Sequence, residues 1–157
     1  MSANFVFALA VGIGVVAGLR SLMAPAAIAW AAHLGWLHLQ GTSLGFMGSK
    51  AAVVTFSLLA IGELIGDKLP RVPKRTAAAP LLARIVTGGL SAACLCASAN
   101  QSLGIGAGLG AVGAVIGAFG GYQTRKRLVT QFNVPDFVVA AIEDIVAIGL
   151  ALFLVSR

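Results

Sequence analysis

Two glutamates, Glu63 and Glu143, lie inside apolar stretches that read alike: Leu59-Ala60-Ile61-Gly62-Glu63-Leu64-Ile65 and Val139-Ala140-Ala141-Ile142-Glu143-Asp144-Ile145. A carboxylate at membrane depth costs roughly 2.5–3.5 kcal/mol on insertion scales, so a chain that carries one twice in matched settings is expected to use both. Three chemistries fit: binding a proton, coordinating a cation or polar solute, or pairing with a buried cation. Asp67 follows Glu63 by four residues, which stacks the two on one helix face. Asp67 also precedes Arg71 by four, so a surface ion pair accounts for it equally. Asp144 is adjacent to Glu143 and points about 100° away on a helix, so the two cannot both face one ligand. Neighbouring buried carboxylates do not both ionise without cations nearby. Arg20 and Arg84 are the cations within reach of such acids, as ion-pair partners of Glu63 or as ligands for an anionic group.

These residues need a scaffold, and the composition says which kind. The 157-residue chain is 59% hydrophobic and 10% charged, with a mean hydropathy of +0.96, which is too apolar for a water-soluble surface. The apolar runs are continuous rather than alternating, so the spans are helical and not barrel strands. The expected fold is all-α, one transmembrane domain over 1–157, with helices at 4–19, 22–39, 49–69, 80–98, 102–124 and 135–156. Most approach the ~20 residues that cross a bilayer. The first two are short, and the break at Gly18-Leu19-Arg20-Ser21-Leu22-Met23-Ala24-Pro25 also fits a re-entrant hairpin. Six spans divide into two groups of three, 4–70 and 80–156, and an odd number per group inverts the second relative to the first. Glu63 and Glu143 then fall in corresponding third helices, the arrangement of transporters that bind cargo where inverted repeats meet.

The formal net charge is +6. Basic residues gather in Lys68 to Arg75 and in Arg125-Lys126-Arg127, read here as connectors, which is the positive-inside pattern of an inner membrane protein with cytoplasmic basic loops. Nucleic acid is not the expected partner. The first positive charge follows the first apolar run, so a cleaved signal peptide is not expected. Cys94 and Cys96 point about 200° apart on a helix and read as packing residues. Asp136, after Asn133-Val134-Pro135, reads as a helix cap. His33, His38, Trp30 and Trp36 belong to an interfacial belt. No nucleotide fingerprint, metalloprotease helix or nucleophile elbow is present, and no cofactor is expected.

Gly106, Gly110, Gly113, Gly117 and Gly121 recur at spacings of four, three, four and four, drawing one stripe down a helix. Such a stripe admits another backbone closely, inside the chain with Gly14 and Gly18 or across a homo-oligomer interface.

Together these segments resemble a family of small bacterial integral membrane proteins catalogued as domain of unknown function 4126. The resemblance rests on Gly18-Leu19-Arg20-Ser21 followed by Pro25, on Gly62-Glu63-Leu64-Ile65-Gly66-Asp67-Lys68-Leu69-Pro70 with Pro73-Lys74-Arg75-Thr76, and on Glu143-Asp144. It implies a multi-span membrane protein and transfers no catalytic role. The residues themselves favour a small transporter or channel for a cation or a proton-coupled solute, with Glu63, Glu143, Asp144, Asp67, Arg20 and Arg84 along its path. The alternative is a non-transporting scaffold in which those charges form ion pairs that fix helix register. A lipid-acting enzyme using paired carboxylates ranks below both, because it lacks a nucleophile or metal cluster.

Overall fold

The computed structural model describes residues 2–66 and 77–157. Among these residues the chain is all-helical: α1 Ala3–Leu19, α2 Met23–His33, α3 Lys50–Gly66, α4 Ala78–Ser98, α5 Leu103–Gln131 and α6 Asp136–Val155, with a short 3-10 turn at Gly45–Gly48 before α3. At the centre α1, α4 and α5 pack against one another, while α2 leans on α3, α4 and α6.

Missing side chains hold the centre together. A Cβ on Gly14 would collide with the Gly110 carbonyl, on Gly18 with that of Ala114, on Gly113 with that of Val11, and on Gly117 with that of Val15. On the other side of α5, a Cβ on Gly110 would strike the Gly88 carbonyl of α4, and one on Gly106 would lie 2.7 Å from the Cys96 sulfur. Lipid tails give no hydrophobic drive between helices, so this close backbone approach is what binds α5 to its neighbours. The stripe is therefore occupied inside the chain, Gly113 and Gly117 against α1 and Gly106 and Gly110 against α4. Gly121 is placed differently, in a cleft beside α6.

Among the described residues, three helices, α4, α5 and α6, are long and apolar enough to cross a membrane, and α1 is a shorter apolar helix, which is consistent with a membrane protein. Of the expected crossings, the second is the one that these helices do not provide in full. At ~1.5 Å per residue the 11 residues of α2 rise only about 16 Å, half of a ~30 Å hydrocarbon core. Two inverted halves do not emerge from these elements either: α2 would correspond to α5, which has 29 residues and runs between α1 and α4. The physical reason for the short α2 is local. Pro25 cannot donate to the carbonyl of Ser21 and its ring clashes with that carbonyl in a helix, so α1 cannot continue through this segment. Arg20 takes an extended conformation (φ −140°, ψ 109°), and Pro25 falls in the first turn of α2, where its missing N–H has no helical partner to lose.

The helix α5 runs past the expected end at Thr124, because nothing from Gln123 to Gln131 breaks a helix. Arg125, Lys126 and Arg127 are therefore helical and not in a connector. From Leu103 to Tyr122 the helix already covers ~30 Å, so its basic end projects beyond one hydrocarbon thickness. It stops at Phe132, before Asn133 with its left-handed φ of 52° and Pro135.

Candidate functional site

Breaking one helix into α1 and α2 inside an apolar core leaves two sets of backbone groups without helical partners: carbonyls at the end of α1 and amides at the start of α2. Each set is met by a charge from another helix. The Glu63 carboxylate of α3 accepts hydrogen bonds from the Ser21 amide (2.8 Å), the Ser21 hydroxyl (2.7 Å) and the Leu22 amide (2.8 Å). Arg84 of α4 donates from Nη1 to the Gly18 carbonyl (2.7 Å) and the Leu19 carbonyl (3.0 Å). An anion thus sits at the positive end of α2 and a cation at the negative end of α1, as the helix dipoles require. The two side chains also approach each other, Arg84 Nη2 lying 4.0 Å from Glu63 Oε1.

Between them, Arg20 carries the break itself. Its side chain is fully buried and forms an ion pair with Asp144 of α6. Among the described residues, Arg20, Glu63, Arg84 and Asp144 therefore converge from the α1–α2 link, α3, α4 and α6 on one small volume, two cations and two anions.

Glu143 belongs to a different cluster. The Arg125 guanidinium of α5 grips Asp136 with two hydrogen bonds (Nε 2.7 Å, Nη2 2.6 Å), and its Nη1 lies 4.0 Å from Glu143. The adjacency of Glu143 and Asp144 explains the division: about 100° apart on α6, one faces α5 and the other faces the broken helix. Asp136 is the first residue of α6 rather than its N-cap, which is Pro135. The sequence alone does not signal the Arg125–Asp136 pair, because Arg125-Lys126-Arg127 reads as a connector. The usable signal was that α5 and α6 are joined by a very short link, which brings residues near that link face to face. Asp67 lies outside the described residues.

Beside this second cluster a cleft of about 380 Å³ runs between α1, α5 and α6. Gly117, Gly120 and Gly121 form its floor, Leu19, Val139 and Val146 are among its walls, and Thr124, Arg125 and Glu143 stand at its polar end.

The belt residues are placed by ordinary contacts. Trp30 donates from its indole to the Ser57 hydroxyl (3.0 Å), His33 Nδ1 meets the Gly48 carbonyl (3.0 Å), and the His38 amide donates to Ser98 Oγ (2.9 Å). Cys94 and Cys96 are buried free thiols.

A family model described as Domain of unknown function (DUF4126) matches residues 7–156, nearly the whole chain. The chain belongs to the DUF4126 family. All four residues of the buried cluster, and both partners of Arg125, fall within the DUF4126 match. No curated protein and no solved structure matches the chain.

Proposed function

We propose that this DUF4126 protein is a membrane-embedded scaffold whose buried charges lock a broken helix in place, rather than a conduit lined by those charges. One observation carries this reading: the Glu63 carboxylate has three hydrogen bonds within 2.8 Å, all to the start of α2, and is thereby committed to holding the break. Asp144 is likewise paired with Arg20, and Glu143 looks toward another arginine on another helix. A conduit of the kind read from the sequence needs Glu63 and Glu143 on one shared path. The geometry favours two separate clusters. Buried pairs of this kind contribute little net stability but specify a single packing.

A second reading, the transporter, keeps one specific support. Discontinuous helices whose ends point at charged groups near the membrane interior are the usual substrate sites of secondary transporters. Here the protein's own side chains stand where ions would stand, so conduction would require Glu63 to leave the start of α2.

Proteoliposome flux separates the two. Purified protein is reconstituted with internal pH and cation indicators and tested under proton, sodium and potassium gradients with voltage clamped by ionophores. The scaffold reading expects leak equal to that of empty vesicles. Flux that Glu63→Gln or Glu143→Gln abolishes would overturn it in favour of the transporter.

A further inference from the structure

The cleft between α1, α5 and α6 is explained by neither reading. One glycine of its floor is not demanded by packing: a Cβ on Gly120 would meet nothing within 4 Å, unlike one on Gly117 beside it, which would strike α1. Its rim is apolar and outward-facing, with Ile116 55%, Ile142 54% and Val146 51% exposed, so in a bilayer the cleft opens onto lipid tails. Its volume, about 380 Å³, lies within the ~300–1,000 Å³ usual for small-molecule sites. At one end the apolar wall gives way to Thr124, Arg125 and Glu143. That end lies beyond Tyr122, at the level where α5 leaves a ~30 Å hydrocarbon core.

We infer that this cleft holds one phospholipid of the surrounding bilayer, with an acyl chain on the glycine floor and a primary-ammonium headgroup at the Arg125–Glu143 end. The acyl chain follows from the outward-facing apolar rim. The headgroup follows from charge complementarity. Arg125 is flanked by two carboxylates, Asp136 at hydrogen-bonding distance and Glu143 at 4.0 Å, so a purely anionic head would meet negative charge on both sides of the guanidinium. A phosphoethanolamine head matches instead: its ammonium donates to carboxylate oxygen while its phosphate accepts from Arg125 Nη1, the nitrogen that does not bond Asp136, and from the Thr124 hydroxyl. A choline head has no N–H to donate. The inference requires a bilayer around α5 and α6 and is independent of whether the buried cluster conducts.

The test is lipid retention. The full chain is reconstituted into discs of equimolar phosphatidylethanolamine, phosphatidylcholine and phosphatidylglycerol, released into mild detergent, and its retained lipids are identified by native mass spectrometry. One retained phosphatidylethanolamine is expected, enriched about fivefold over either other lipid, the ratio of a single charge-assisted contact partly exposed to water. Gly120→Leu, which adds bulk on the floor at a position where a Cβ meets nothing within 4 Å, should lose it. Gly108→Leu serves as the control, because Gly108 is an equally open position of the same helix outside the cleft, and should keep it. Glu143→Gln should keep a lipid but lose the headgroup preference. Equal retention by Gly120→Leu and wild type would overturn the site. Should wild type show no preference, or prefer phosphatidylglycerol, the headgroup assignment falls without help from any variant.

Discussion

Replacing Glu63 tests the central geometry most directly. Glu63→Ala removes the acceptor for two backbone amides and one hydroxyl at the start of α2, and takes the anion 4.0 Å away from Arg84. The Glu63 side chain is only 10% exposed, so water replaces little of this. Hydrogen bonds to a charged group contribute about 1.5–3 kcal/mol each, but three bonds to one carboxylate are not additive, and loss of one partner of a buried ion pair costs about 3–5 kcal/mol in total. We take the latter as the expected cost of Glu63→Ala. Glu63→Gln keeps the shape and one carbonyl acceptor, leaves an amide N–H where an acceptor stood, and should cost about 1–3 kcal/mol. At ~2–4 °C per kcal/mol for a chain of this size, the alanine variant should melt roughly 10 °C below wild type. The assay is thermal unfolding in detergent, followed by the accessibility of Cys94 and Cys96 to a maleimide, since both thiols are buried in the fold. The order wild type, glutamine, alanine is the signature of a polar cap. An alanine variant that melts within about 1 °C of wild type would refute the claim that Glu63 holds the break.

Arg20→Met should be at least as damaging as Glu63→Ala, by about 3–5 kcal/mol, because it strands Asp144 in the core; Arg20→Met with Asp144→Leu should recover much of that loss in the same melting assay. Arg125→Met, whose partner Asp136 has a side chain 60% exposed, should cost no more than about 1 kcal/mol. Gly18→Leu should prevent α1 from reaching α5 and yield protein that aggregates on size-exclusion chromatography, whereas Gly108→Ala, with open space around it, should stabilise by about 0.5–1 kcal/mol.

The sequence made the helical membrane class legible, since continuous apolar runs with rare charges allow little else. It also marked Gly18 to Pro25 as the place of a break, because the Pro25 ring clashes with the Ser21 carbonyl and disfavours a continuous helix there. The glycine stripe was legible as a packing face, with Gly14 and Gly18 opposite it. The extent of α2 was not, and the reason is that hydropathy counts apolar residues without knowing where a helix ends: the run from Leu22 to Leu39 is apolar enough, yet its helix stops at His33 and a turn with Gly35 at φ 79° follows. The reach of α5 is hidden for the opposite reason: Arg125-Lys126-Arg127 reads as a connector, yet no residue there breaks the helix, which continues to Gln131.

What the residues determined by themselves is that buried charges of both signs had to exist at membrane depth and had to be compensated. Which charge compensates which was decided only by the tertiary arrangement. Arg20 goes to Asp144 and not to Glu63, and Glu63 goes to the amides of a helix start that one-dimensional reading cannot place beside it. Adjacent carboxylates on α6 are sent to different arginines by nothing more than the 100° step of the helix and the neighbours it happens to face. Pairing depends on distance in space, and a sequence fixes only distance along the chain.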